Sequence, residues 1–570
     1  MVEDSLQARL YTRVDERPAD RAIAFVDARG HVRWRTREEF FARASAHAAR
    51  LVEMGLSSGQ TIILVLPSGE LCANLLVACL MVGAVPLLVA PPTLRGQNAN
   101  LTEILQSTIR RTRARLVICP ATMEPARERL DSARTGTDLV FGEAELRTSA
   151  PTTALRATPA SDDIAAMQLT SGTTGFPRVC AWRQRGVLAA LDAMAPAMKL
   201  SSEDTCFNWT PLYHDMGLVN NFFLCLAKGV PLVMLSPQDF VKRPQLWLRG
   251  LSDTGSTVTW SPNFGFALAA QRVSDDQLEG VRLDHVRAFW NAAERIHLGT
   301  LEAFGERFAK YGVRSTALKT NFGCAENIGG ATFSDPDGVF VWEQVCADTL
   351  YSQRLAKVVN DARDVRTATV VGVGRPAPGI RIHILSPSGT PESDGRVGEI
   401  ALETPSRMDG YLNDPDGSHR VLSGGLVRTG DLGYLRGDQL FWTGRVRERI
   451  TIHGKKFDPS DLERVLLQIT GLRHGCFAAF GVDDEAAGTQ RLIVVSEIQA
   501  TTTPTHDQIT REVRDKVARD LGVPVHEVVL VPSGTLAKTS SGKRRHRAIR
   551  DLYRRGELPR HDDHRVHARL

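Results

Sequence analysis

An α/β architecture built on largely parallel sheets is the fold class this sequence predicts, and two patterns predict it. Short apolar runs such as TIILVLP, RLVICP and STVTWSP have the length and β-branched content of buried strands. They alternate with longer helix-compatible stretches such as REEFFARASAHAARLVEMG, which is the order that puts helices on the faces of a parallel sheet. With 570 residues, 42% of them apolar, the chain can build more than one core.

The domain division follows from the same patterning. After GRVRERITIHG the sequence starts a strand and helix pattern of its own, with CFAAFGV, RLIVVSEI and a charged helix from Thr505 to Leu521. This places a large domain at residues 1–446 and a small α+β domain at 447–570. No repeat or low-complexity linker marks another division, and the tail RHDDHRVHARL reads as a solvated end.

Composition excludes several function classes. The 70 Lys and Arg against 65 Asp and Glu leave a net charge of +5, spread along the chain, so nothing calls for nucleic acid. Nine cysteines without a C-x-x-C pair, and no His cluster at metal spacing, indicate neither a disulfide framework nor a zinc site; a reducing, cytoplasmic location is expected. The N-terminus lacks the basic-then-apolar order of a signal peptide. The uncharged stretch from Leu71 to Ala90 is long enough for a membrane span, but Gly83 and Pro86 divide it into a buried helix and a core strand.

One segment carries phosphate chemistry. LTSGTTGFPR, Leu169 to Arg178, follows the strand-like AAMQL and sets two glycines among hydroxyl residues. Gly172 and Gly175 let the backbone approach an anion, while Thr170, Ser171, Thr173 and Thr174 offer donors to phosphate oxygens. It is not a Walker A loop, because the G-x-x-x-x-G-K-[ST] pattern is missing. Gly372, Gly374 and Ala377 fit a dinucleotide fingerprint by spacing alone, yet RPAP follows where a helix N-terminus would have to receive the pyrophosphate.

LTSGTTGFPR resembles the phosphate loop of the adenylate-forming superfamily, which includes acyl-CoA synthetases, luciferases and peptide-synthetase adenylation domains, and further segments in the same order extend the resemblance over nearly the whole chain. PLYHDMGL, with His214 and Asp215, is similar to the next core motif in the form found in fatty acyl-AMP ligases. NAAERI, with Asn291, Ala292, Ala293 and Glu294, and NFGCAEN, with Asn321, Phe322, Gly323 and Glu326, resemble the adenine- and magnesium-binding segments. VRTGDLGYL, with Asp431, resembles the ribose motif; GRVRERITIHGKKFDPSDLE resembles the interdomain hinge, with Arg445 expected on the nucleotide and Arg447 at the pivot. LAKTSSGKRR resembles the catalytic loop and carries Lys543. The fold implied is the adenylate-forming one, with a mobile C-terminal domain.

The residue types suit these roles. A carboxylate at Glu326 can hold Mg²⁺ against triphosphate oxygens, although a surface turn acid has the same local sequence. Asp431 can accept ribose hydroxyls or cap a turn, and Phe322 can stack on adenine or fill a core. An ammonium at Lys543 in a glycine- and hydroxyl-rich loop is suited to charge developing between carboxylate and α-phosphate. Three positions depart from the family pattern: Arg178 where many relatives have Lys, Ala292 where glycine usually follows Asn, and Phe322 where Tyr is commoner.

The reaction implied is attack of a carboxylate on the α-phosphorus of ATP, with Mg²⁺, giving acyl-AMP and pyrophosphate, with Glu326, Lys543 and His214 as catalytic residues. SPNFGFALAAQRVSDDQLEGV resembles the acyl-pocket region of fatty acyl-AMP ligases, so His214, Asp215, Asn263, Phe264 and Phe266 are the expected acid-binding residues. The interval between Glu326 and Gly374 is longer than in acyl-CoA synthetases, and the resemblance implies an acyl carrier protein as acceptor in place of coenzyme A. The alternatives are an acyl-CoA synthetase, an enzyme for aryl, amino or small acids, and a noncatalytic nucleotide-binding regulator.

Overall fold

In the computed structural model the described residues are 5–92, 101–131, 136–146, 155–170, 177–360, 365–446, 450–452, 455–457, 459–484, 489–499, 504–536 and 546–561. They form two units. The first comprises Met1–Phe340, Val373–Ile382 and Leu402–Arg428, the second Val341–Gly372, His383–Ala401 and Thr429–Leu570.

Two sheets organise the first unit. In one, the strands Ile164–Thr170, Val85–Leu88, Thr61–Leu64, Leu116–Cys119 and Asp138–Phe141 run parallel, with Arg178–Arg183 and Gly410–Tyr411 added antiparallel at one side. In the other, Leu318–Cys324, Ala288–Ala292, Val258–Pro262, Cys206–Asn208, Leu232–Leu235 and Arg21–Val26 are parallel, and Gly329–Phe333 and Val32–Thr36 pair antiparallel at the two ends of this run. The predicted parallel α/β class is what these strands build. Their apolar runs need no alternation because both faces are covered: all four residues of Thr61–Leu64 are buried.

The local signals read from sequence hold. Helix Arg37–Glu53 starts at a capping box, with the Glu39 N–H donating to Thr36 Oγ1 at 3.1 Å and the Thr36 N–H to Glu39 Oε2 at 3.0 Å. The stretch from Leu71 is a buried helix, Glu70–Val82, that stops at Gly83 in the left-handed conformation (φ 78°), followed by strand Val85–Leu88. No helix among the described residues is long and apolar enough to cross a membrane. All nine cysteines are free. Residues Thr367–Pro376 form one uninterrupted strand, so Gly372 and Gly374 do not open a helix as a dinucleotide fingerprint requires.

The second unit contains a three-stranded sheet, Leu472–Asp484, Thr489–Ile498 and Val525–Val531, and helices Pro459–Leu466 and His506–Leu521. Helix His506–Leu521 begins at Thr505 with a second capping box. Leu462, Val465, Phe477, Val494, Ile509 and Val513 supply much of its core. Tyr351, on the helix Ala347–Gln353 of the long interval, packs both on this core and on a neighbouring cluster with Val345, Leu350, Tyr434 and Phe441. Compactness thus groups residues on both sides of Val446 together.

Lys319 stands out in the first unit as a fully buried lysine on strand Leu318–Cys324. Its Nζ donates to the carbonyls of Asp335 at 2.7 Å and Gly338 at 2.6 Å, tying the DPDG turn to the strand. Burial pushes its ammonium down to about 8. Between that value and the ordinary lysine value of about 10.4, the unfolded chain holds a proton that the folded chain has released. Stability contributed by this group therefore rises with pH across that window and is flat below it. The urea midpoint of the wild-type chain is expected to climb relative to that of Lys319→Met from about pH 8 to about pH 10; parallel profiles would count against a buried, titrating ammonium.

Candidate active site

Parallel strands deliver their carboxyl ends to one edge of a sheet, and the loops that follow them share that edge. Four adjacent parallel strands of the second sheet do this for the predicted residues. His214 and Asp215 follow Cys206–Asn208, Asn263 follows Val258–Pro262, Asn291 and Ala292 close Ala288–Ala292 with Ala293 and Glu294 beyond, and Asn321 to Gly323 lie near the end of Leu318–Cys324 with Glu326 in the next turn.

The two asparagines meet. Asn263 Oδ1 accepts from Asn291 Nδ2 and from the His297 N–H, each at 3.2 Å, and Glu294 Oε1 accepts the Phe264 N–H at 2.7 Å, covering the start of helix Asn263–Arg272. Asn291 Oδ1 is buried without a hydrogen-bond partner among the described residues, an acceptor that an exocyclic adenine amine would satisfy. Ala292 keeps ordinary strand geometry, opposite Pro262. The backbone departure falls one residue later, at Ala293, which sits at φ 72°.

Asn321 Nδ2 donates to the carbonyls of Thr332 and Phe322, holding the hairpin that carries Phe322, Gly323 and Glu326. Gly323 is required there: a Cβ would lie 2.3 Å from Gly329 O. Ile328, closing the Glu326 turn, is a β-branched residue at φ 55°, an outlier of the kind that marks a tightly determined site. Glu326 Oε1 accepts from the Tyr411 phenol at 2.6 Å. Burial first, and then the Glu326 carboxylate, push that phenol well above the usual tyrosine range, so it remains a donor.

His214 Nδ1 lies 2.7 Å from Asp215 Oδ1, which also accepts the Met216 N–H at 2.9 Å. The short helix Asp215–Gly217 continues as a π-helical segment, Leu218–Phe223, a geometry that recurs at functional sites. Phe264 is partly exposed and edges the ring of Trp209 at 5.7 Å, while Phe266 is fully buried against Trp247 and Phe304.

Thr170 and Arg178 face each other as the last and first residues of antiparallel strands. Ser171, Gly172, Thr173, Thr174 and Gly175 lie outside the described residues, as do Arg447 and Lys543. In the second unit Asp431 and Arg445 stand opposite each other on paired strands, with Arg445 Nε donating to Asp431 Oδ1 at 3.2 Å. Sequence reasoning did not single out Tyr411, Asp414, Lys319 or Asn327. RMDGYLND offers only a turn-like pattern, and it acquires meaning when the chain brings it back to Glu326.

Residues 10–412 match the AMP-binding enzyme family. The chain belongs to that family. Over 97% of its length it is 27% identical to a long-chain-fatty-acid–AMP ligase, FadD26, of Mycobacterium marinum, covering 98% of that protein. Over 70% of its length it is 30% identical to JamA, a medium-chain-fatty-acid–[acyl-carrier-protein] ligase of Moorena producens, covering 69% of it. A 4-hydroxyphenylalkanoate adenylyltransferase of Mycobacterium bovis is 30% identical over 70% of this chain and 66% of its own length. A solved structure from a study of fatty acyl-adenylate ligases of E. coli and L. pneumophila superposes with TM-score 0.88 at 27% identity, covering 97% of this chain and 98% of that one. The fold is that of the adenylate-forming enzymes, and the chain is an acid-adenylating ligase.

The left-handed alanine in this site gives a stability test. Placing Ala at such a φ costs about 1 kcal/mol relative to glycine, while glycine loses more freedom on folding. With the strain dominant, Ala293→Gly is expected to raise the denaturant midpoint of the tryptophan signal. An unchanged or lower midpoint would show that strain at this residue is not stored.

Proposed function

We propose that this chain activates a fatty acid as its acyl-AMP and passes the acyl group to the phosphopantetheine thiol of an acyl carrier protein. The observation that carries it is the gathering of Asn263, Asn291, Glu326 and His214 at the carboxyl ends of four adjacent parallel strands, with an unpartnered acceptor at Asn291 Oδ1. That edge is where an open α/β sheet binds ligands.

In this reading Asn291 to Glu294 and Asn321 to Gly323 bind the adenine, with Phe322 against its face, and Asp431 and Arg445 bind the rest of the nucleoside. Thr170 to Gly175 donate to the phosphates. Glu326 is a hard oxygen ligand, the donor type magnesium takes when it binds through one or two carboxylates and substrate phosphates. Mg²⁺ supplies charge neutralisation between the phosphate oxygens when bound. The acid lies along helix Asn263–Arg272, with Phe264 in contact and Phe266 supporting it from the core, and His214 and Asp215 near the carboxylate. No protein nucleophile is needed: the chain orients two anions that repel each other, and Lys543 screens charge developing at the α-phosphorus. The small domain, from residue 447, pivots to bring in the thiol.

The carrier protein as acceptor is supported by two features. One is the likeness to the carrier-protein ligase JamA. The other is the long interval whose Tyr351 packs on the core of the C-terminal sheet within the second unit, a contact that penalises rearrangement there. About 1.4 kcal/mol of such bias shifts a population tenfold.

ATP–pyrophosphate exchange over a panel of alkanoic and aryl acids tests the activation step, with exchange expected on alkanoic acids. Lys543→Ala is expected to lower that exchange by about 10²–10³-fold with little change in ATP affinity; near-native exchange would remove Lys543 from the mechanism. With fatty acid, ATP and Mg²⁺ supplied, mass spectrometry is expected to find acyl thioester on holo carrier proteins in preference to coenzyme A. Rapid stoichiometric acyl-CoA formation would make the enzyme an acyl-CoA synthetase instead.

A further inference from the structure

The segment Met408 to Asp414 grips Glu326 from both sides. The Met408 N–H donates to Glu326 O at 2.9 Å, and the Tyr411 phenol donates to Glu326 Oε1 at 2.6 Å. Tyr411 belongs to the two-residue strand Gly410–Tyr411, opposite Cys180 on the strand that starts at Arg178. The residue is held on three accounts. It is 7% exposed, its N–H donates to Ser418 Oγ at 2.8 Å, and the Arg178 guanidinium carbon lies 4.9 Å from its centroid. Arg178 is anchored in turn, with Nε 3.2 Å from Asp414 Oδ2, while Asp414 Oδ1 accepts the Gly417 N–H at 2.8 Å at the start of helix Pro415–Val421. A lysine at 178 would keep the charge, but its point-like ammonium would lose the guanidinium's contact over the ring.

We infer that Tyr411 is a positioning residue for Glu326: together with Arg178, the last residue of the LTSGTTGFPR segment, it holds the carboxylate in one rotation, ready to meet the divalent ion of metal–ATP. The physical reason is that a ligand already restrained by a hydrogen bond has less to reorder when the metal arrives, and partners of metal ligands typically control affinity by about 10–100-fold. This inference rests on the proposed metal role of Glu326. It adds a device that links the end of the phosphate loop to the metal ligand through Arg178, Tyr411 and Glu326.

The test uses the full chain, Mn²⁺ and a nonhydrolysable ATP analogue, with bound Mn²⁺ read by electron paramagnetic resonance and folding checked by circular dichroism. Glu326→Gln is expected to weaken Mn²⁺ binding, and Tyr411→Phe, which removes only the hydroxyl, to raise the Mn²⁺ Kd roughly tenfold while metal-free nucleotide affinity holds. In the Glu326→Gln background, Tyr411→Phe is expected to add nothing, which a merely structural role would not produce. Arg178→Lys is expected to shift the Kd in the same direction by a smaller factor, and it decides the matter if Tyr411→Phe does not fold. A Mn²⁺ Kd within about twofold of wild type in folded Tyr411→Phe, or in Arg178→Lys where that variant decides, overturns the inference and leaves the metal role of Glu326 standing. An equal loss with and without Glu326 does the same. Unchanged binding in Glu326→Gln overturns both together.

Discussion

Two negatively charged reactants, a carboxylate and a triphosphate, have to be brought together and kept in line, and the parallel sheet is the constraint that makes this feasible. Because parallel strands all end on the same edge, residues far apart in sequence reach one place without long excursions of the chain. The strands ending at Asn208, Pro262, Ala292 and Cys324 are neighbours in register, so the loops after them share one rim. The core beneath is heavily aromatic. Trp247 touches Phe266, Phe289 and Phe304, and Trp209 stacks on Phe240 at 3.6 Å. Such packing leaves the strand ends little freedom to drift.

Polar order at the rim comes from groups that satisfy one another. Asn263 links Asn291 to His297, Glu294 caps the helix that begins at Asn263, and Asn327, fully buried, accepts from Ser406 Oγ at 3.2 Å. A cluster of this kind is rigid because leaving any member unpaired is expensive. The acceptor left over, Asn291 Oδ1, is the kind of exception a ligand resolves.

How much of this was legible in the sequence depends on the range of the interaction. The helix-compatible stretch from Arg37, the charged helix from Thr505 to Leu521, the break at Gly83 and the buried strands are local, and each was visible as a short pattern; the capping boxes at Thr36 and Thr505 were not read. The resemblance pointed to Asn291, Asn321 and Glu326 together, which spacing alone does not give, and these lie at or just beyond the ends of adjacent strands. Hidden from both was Tyr411, which reaches Glu326 across 85 residues through an edge strand of only two residues. No periodicity announces a two-residue strand. Phe264 and Phe266 show a related limit: two phenylalanines two positions apart on a helix read alike, yet one is partly exposed and the other wholly buried, and only tertiary packing separates them.

The indoles of Trp260 and Trp290 face each other in register on adjacent strands, with centroids 5.5 Å apart and planes 24° from parallel. Chromophores this close exchange excitation, so the enzyme carries its own optical gauge within the strands that end at Pro262 and Ala292. Circular dichroism from such coupling, to which the Trp209–Trp247 pair at 6.2 Å also contributes, reports on tryptophan packing over these strands and not on bulk helix content. Heating or denaturant would dim it when this sheet separates, whatever the peripheral helices do, letting the integrity of the rim be followed by light without a label or a bound nucleotide.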